Sequence, residues 1–350
     1  MNIRLTQLDG KLPNLALMRL GAYWKQRGAD VYFTRSPYRQ LDEPLHYAHV
    51  YGSAIFAFSS ERVAAFRMEF PEAAIGGTWN PAEPVTLEDI LPDIGSDADY
   101  SLYPGFTGSI GFTQRGCRLK CGFCVVPKKE GRARSVASIF EIWRGAPWPR
   151  HLHLLDNDFF GQEREQWQER LREIRHGGFK VCLNQGINIR MIDDEAAAAL
   201  ASVDYRADDF KSKRIYTAWD NIGDEQRFFS GIETLRRHGI PSAHVMAYML
   251  IGYDRRETWE RLFHRYNAMT ALGIRPYPML FEPTRIRGLA AGSPDYDVLV
   301  RRGMTLNQFQ RWVNGRYYSV TSFADFERGA RTAVGKELQK RQTDLWISNP

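Results

Sequence analysis

The sequence predicts a mixed α/β protein: a small N-terminal βα sheet, then six β/α units, then a helical C-terminal stretch. Three observations carry this. Short apolar runs that read as strands alternate with stretches whose apolar residues recur at helical spacing. The 350 residues are 43% hydrophobic, 13% aromatic and 25% charged, the makeup of a folded chain long enough for two domains. No apolar stretch reaches the roughly 18–20 residues of a membrane span.

In chain order, a strand over 3–8 leads through Gly10 and Pro13 to a helix over 14–26, and a second strand covers 30–34. A strand over 50–58, a helix and a short strand ending at Ile75, Gly76 and Gly77 complete this part. The Pro, Gly and Asp residues of 92–99 read as a linker. Beyond it, strand runs cover 108–113, 151–156, 180–183, 214–218, 244–251 and 276–281. Helical patterns separate them, such as the polar stretch 161–176 and the series Trp259, Leu262, Phe263, Tyr266 and Met269. Strands alternating with helices pair in parallel through right-handed crossovers. In the tail, Phe309, Trp312, Tyr317, Tyr318, Phe323 and Phe326 read as core packing, and Arg331, Lys336, Lys340 and Arg341 give the last helix a basic face. The expected boundaries are 1–99, 104–283 and 284–350.

Charge decides little at this level. The 47 Lys and Arg against 41 Asp and Glu, a formal +6, are interspersed and read as solvated surface. The opening residues carry charge and no apolar run, unlike a signal peptide, so a cytoplasmic location without a membrane partner is expected.

Cysteine placement is the informative feature. Cys117, Cys121 and Cys124 fall within eight residues, while Cys182 stands alone in an apolar run. An odd cluster in a tight loop is a poor disulfide framework. Zinc asks for four N or S ligands, and there is no second cysteine pair; His151 and His153 lie in a strand about 27 residues on. A C-x3-C-x2-C loop suits a four-iron, four-sulfur cluster in which three irons take thiolates and one keeps an open position.

This loop, with an apolar strand before it and Phe123 just ahead of the last cysteine, resembles the signature of the radical S-adenosylmethionine (radical SAM) superfamily. The resemblance implies a partial (β/α)6 barrel over 104–283, a [4Fe-4S] cluster on Cys117, Cys121 and Cys124, and S-adenosylmethionine as cofactor. It also implies a one-electron donor such as a flavodoxin or ferredoxin. In parallel α/β barrels reactive groups gather at the carboxyl ends of strands. That makes Asp156 and Asn157 candidates for the methionyl amine and Arg190 for the methionyl carboxylate. Asp220 is a candidate for the ribose, and Asn184, Gln185 and Phe123 are further cofactor contacts. Trp219 offers a stacking surface, and Lys128, Lys129 and Glu130 read as solvated.

The first hundred residues have the layout of a Rossmann-like sheet, similar to the cobalamin-binding or methylthiotransferase-type domain of that superfamily. The departures are specific. Where a cobalt-ligating domain offers Asp-x-His-x-x-Gly, residues 7–13 hold no histidine, so cobalamin would bind without a protein ligand if at all. Residues 1–116 contain no cysteine, which removes the second cluster of methylthiotransferases. The expected function is hydrogen abstraction from a small-molecule substrate by a radical SAM enzyme of unspecified reaction. A nucleic-acid modifying radical SAM enzyme and a non-catalytic iron–sulfur or zinc protein are the alternatives.

Overall fold

The structure is a computed structural model, and it describes residues 1–254, 256–281, 300–301 and 304–329. It is mixed α/β with parallel sheets. The chain divides into two compact units, one of residues 1–187 and 195–215, the other of 188–194 and the described residues from 216 on.

The first unit holds two four-stranded sheets. Strands β1 (Asn2–Gln7), β2 (Asp30–Thr34), β3 (His49–Ala54) and β4 (Ala74–Gly77) lie in the order β2-β1-β3-β4, all parallel. Helix α1 (Leu15–Gln26) connects β1 to β2 and is capped by the Asn14 side chain, which accepts from the Leu17 amide. Helix α2 (Ser60–Glu69) and the short α3 (Leu87–Ile90) complete this half. The expected strand over 50–58 ends at Ala54 because the Asp9 carboxylate takes the Ile55 and Phe56 amides out of the ladder. Arg4 and Glu43, both fully buried, pair at 2.8 Å and tie β1 to the loop after β2.

Strands β5 (Ser109–Gly111), β8 (His151–Leu154), β9 (Lys180–Leu183) and β10 (Asp204–Tyr205) form the second sheet, order β10-β9-β8-β5, again all parallel. Two further strands, β6 (Gln114–Arg115) and β7 (Arg134–Ser135), make an antiparallel pair of their own. Helices α4 (Val126–Glu130), α5 (Ile139–Ile142), α6 (Arg164–Gly177) and α7 (Asp194–Ala201) occupy the connections. α6 turns Trp167, Leu171 and Ile174 inward, an i, i+4, i+7 stripe. A core containing Ile3, Leu5, Leu17, Met18, Leu102 and Ile110 runs from β1 and α1 to β5, so the segment around 99–104 is packed rather than free.

The second unit has a parallel sheet β11 (Ile215–Ala218), β12 (Val245–Ile251) and β13 (Arg275–Leu280), with α8 (Glu225–Arg237) after β11 and α9 (Trp259–Ala271) after β12. A two-residue antiparallel pair, β14 (Val300–Arg301) and β15 (Met304–Thr305), precedes α10 (Leu306–Asn314) and α11 (Phe323–Gly329). Phe309, Trp312 and Phe323 are buried in one aromatic cluster with Trp259, Phe263 and Tyr266 of α9. Core packing is therefore what these tail aromatics do. Glu282, Pro283 and the basic residues 331, 336, 340 and 341 lie outside the described residues. No helix among the described residues is long and apolar enough to cross a membrane.

Candidate functional site

The three clustered cysteines ride on an excursion from the second sheet. After β5 the chain enters β6, leaves at Gly116, and returns through β7, whose pairing with β6 closes the base of the loop. Gly116 has φ +79°, and a Cβ there would stand 2.1 Å from the Arg132 carbonyl oxygen. Only glycine brings the two arms that close. The Cys117 amide then donates to the Gly131 carbonyl at 3.2 Å.

Glu130, at the end of α4, locks this neck. Its carboxylate accepts from Arg115 Nη2 at 2.7 Å, from the Gly116 amide at 3.0 Å and from Asn157 Nδ2 at 2.8 Å. Burial opposes the charge, yet the Arg115 and Gly116 hydrogen bonds hold the carboxyl below its ordinary value. Glu130 is thus a closing residue and not the solvated one its sequence context suggested.

Asp156 lies just past the end of β8 and is 2% exposed. Its Oδ1 accepts from the Thr113 and Gln114 amides at 2.7 and 3.0 Å, and its Oδ2 from the Thr113 hydroxyl at 2.5 Å. Burial pushes this carboxyl up to about 7 against those three donors. Asp156 therefore serves the chain itself, fastening β8 to the turn that launches the cysteine loop. Asn157 is half-buried and reaches Glu130. Asp158, 1% exposed, takes Arg118 Nε and Nη2 at 2.8 and 3.0 Å and lies 4.0 Å from Cys117 Sγ. A Cβ on Gly161 would sit 2.3 Å from the same carboxylate.

Cys117, Cys121 and Cys124 are each partly exposed. Cys117 Sγ accepts from the Leu119 amide at 3.3 Å, and the Cys124 amide donates to the Cys121 carbonyl at 3.0 Å. Burial raises the Cys117 thiol, and Asp158, Cys124 and Cys121 add to the rise, so the three sulfurs feel one another. Phe123 is half-buried between the last two. Among the described residues no group of three or more His, Cys, Asp or Glu side chains is drawn together to hold a metal ion. The donor set itself, three thiols on one closed loop with an N–H···S contact already made, fits a cluster that takes one thiolate per iron. Cys182 lies fully buried in β9 and takes no part.

Because β5, β8 and β9 are parallel neighbours, their carboxyl ends share one edge. There the cysteine loop and its base meet Asp156–158, and at the end of the neighbouring β9 the Asn184 amide extends the ladder to the Leu154 carbonyl. Asn184 Oδ1 stands 3.2 Å from His153 Nδ1, and Gln185 is exposed. The structure thus brings Cys117, Cys121, Phe123, Cys124, Asp156 and Asn157 together, while Asn184 and Gln185 stand at the end of the neighbouring strand β9.

Arg190 and Asp220 belong to the second unit. Arg190 Nη1 donates to Asp224 Oδ2 at 2.7 Å. Asp220, at the end of β11, accepts from the Leu250 amide at 2.9 Å, and burial raises its carboxyl. Fully buried Arg265 donates to the Trp219, Asp220 and Leu250 carbonyls and pairs with Glu257. Trp219 is 1% exposed, with Phe228 stacked on it at 5.1 Å, so its face is not offered to a ligand.

Sequence reasoning missed Arg115, Arg118, Glu130 and Asp158. Their signal was faint: one acid within a basic segment, and the third residue of an Asp-Asn-Asp run. Comparison with protein-family models, curated proteins and solved structures gives no match to this chain.

Proposed function

We propose that the chain is a radical SAM enzyme acting on a small-molecule substrate. Cys117, Cys121 and Cys124 would hold a [4Fe-4S] cluster, and the chain from β5 to β13 would supply a partial (β/α)6 barrel, following in sequence a Rossmann-like first sheet. The observation that carries this reading is the closed three-cysteine excursion at the carboxyl edge of a parallel sheet. When bound, the cluster and S-adenosylmethionine together supply reductive cleavage of the sulfonium and a 5′-deoxyadenosyl radical.

The protein's own part is geometric. Glu130 and Gly116 keep the loop shut, and Asp156 fixes its launching turn to β8. Arg118 and Asp158 hold the backbone next to Cys117, and the Leu119 amide donates to its sulfur. Asn157, Asn184 and Gln185 would offer polar groups to the cofactor from the strand ends of the first unit; Arg190 and Asp220 are further cofactor contacts that the resemblance implies. Cobalamin has a weaker case, since the one carboxylate after β1, Asp9, is engaged by the Ile55 and Phe56 amides.

Anaerobic reconstitution, iron and sulfide analysis, and incubation with reductant and S-adenosylmethionine test the reading. About four irons per chain and release of 5′-deoxyadenosine are expected. Zinc in place of iron, or a cluster spectrum indifferent to S-adenosylmethionine, would overturn it.

A further inference from the structure

A cavity of about 460 Å³ opens in the first unit, at the amino edge of its first sheet. His49 and Ala74, the first residues of β3 and β4, line it. Trp24 from the last turn of α1, Glu72 just before β4, and Ile90 and Leu91 at the end of α3 contribute as well. Because β3 and β4 run parallel, this edge is opposite the strand ends at which open α/β sheets bind their cofactors.

Aromatic residues recur at every second position here, Tyr47, His49 and Tyr51, and in extended chain alternate side chains share a side. The His49 and Tyr51 rings stand 6.1 Å apart at 26°, and the Trp24 indole lies on His49 at 4.8 Å and 25°. The three rings make one wall, in which Trp24 and Tyr51 are buried and His49 is exposed. Charge along the cavity is one-sided. Of its ten lining residues one is acidic, Glu72, and none is Lys or Arg. Glu72 is exposed, and among the described residues its carboxylate has no hydrogen-bond or ion-pair partner. The His49 imidazole has no hydrogen-bond partner among them either. A cation beside the cavity is already engaged: Arg39, 5.6 Å over the Tyr47 ring, lies 3.9 Å from Glu69 and donates to the Pro44 carbonyl.

We infer that this cavity binds a small organic cation, a protonated amine carried on a flat aromatic body. Glu72 accepts from the ammonium in a charge-assisted hydrogen bond, and the ring wall receives the flat body. Aromatic faces also favour a positive charge within about 6 Å of their centres. The volume lies in the range of about 300–1,000 Å³ typical of small-molecule sites. An anion meets the reverse conditions, an unpaired carboxylate and no lining Lys or Arg. The site needs neither the cluster nor S-adenosylmethionine, so it stands whether or not the cysteines take iron.

Isothermal titration of the full chain with tryptamine tests the class, set against indole-3-propionate, in which the same ring and spacer end in a carboxylate. Tryptamine should bind once per chain with a Kd of about 1 mM or tighter, and the acid at least about tenfold more weakly. Glu72→Gln should weaken tryptamine about tenfold and bring the two probes within about threefold of each other. Its side chain is exposed and unpaired, so the fold should persist, and far-UV circular dichroism checks that. His49→Ala should weaken both probes, since it shortens the ring wall and leaves the carboxylate in place. Glu165→Gln on α6, the same loss of charge away from the cavity, should behave as wild type. Absence of saturable tryptamine binding, equal affinity of the wild type for the two probes, or an unchanged Kd for tryptamine in Glu72→Gln would overturn the proposal.

Discussion

Replacing Asp156 separates a structural fastening from a cofactor contact. In Asp156→Ala the Thr113 and Gln114 amides lose their acceptor inside the protein, while the Thr113 hydroxyl can turn elsewhere. Each stranded buried amide costs about 1–3 kcal/mol, so the expected loss for the two is about 2–6 kcal/mol. Asp156→Asn keeps an oxygen for both amides and presents its NH2 to a hydroxyl able to accept, so its loss should stay below about 1 kcal/mol.

Both variants also differ from the wild type in pH response. The folded-state value for Asp156, about 7, lies above the ordinary 3.8, so the folded protein binds more protons than the unfolded chain between those values. Its contribution is therefore fully present at low pH and declines as pH rises from about 4 to 7. Asn or Ala at this position removes that slope. Urea unfolding followed by tryptophan fluorescence across that range, with iron content measured after reconstitution, reads both effects. An alanine variant as stable as the asparagine one with full iron, or a wild-type slope kept in both variants, would refute the fastening role.

Three further outcomes are expected. Cys117→Ala, Cys121→Ala and Cys124→Ala should each fail to retain the cluster in iron and sulfide assays, whereas Cys182→Ala, altered at a fully buried position in β9, should retain it. Gly116→Ala forces a left-handed residue, at about 1–2 kcal/mol, and drives a methyl into the Arg132 carbonyl; iron retention should fall while far-UV circular dichroism stays native. Arg4→Met strands the Glu43 carboxylate and should cost about 3–5 kcal/mol in chemical denaturation, with Arg4→Met/Glu43→Leu recovering most of it. Burial opposes ionisation of Glu43, but Arg4 and the Gln40 amide hold its carboxyl below the ordinary 4.5. Its contribution is thus present above about 4.5 and lost as pH falls through the lowered value.

Strand positions were legible because a buried parallel strand needs an uninterrupted apolar run: 180–183 and 30–34 coincide with β9 and β2, and the others fall within a few residues. β6, β7 and β10 were not, since two-residue strands carry no periodicity. The cysteine loop announced itself through local spacing. Its supports did not, because Glu130 meets Gly116 and Asn157 across 14 and 27 residues, and Asp158 meets Arg118 across 40. A local reading assigns Asp156 to a ligand since it stands at a strand end. What it cannot register is that two backbone amides and a hydroxyl from the turn between β5 and β6 reach the position first.

The excursion is sealed at its base by a two-residue ladder and a single carboxylate, while β5, β8 and β9 are joined by their own ladder beneath it. Unfastening the loop breaks a handful of hydrogen bonds and leaves that sheet whole. Oxidative injury to the three partly exposed cysteines is thereby confined to a detachable part. On the proposed cluster reading, a chain that lost its iron would keep its scaffold, and its reduced thiols could be refilled in place without a round of refolding.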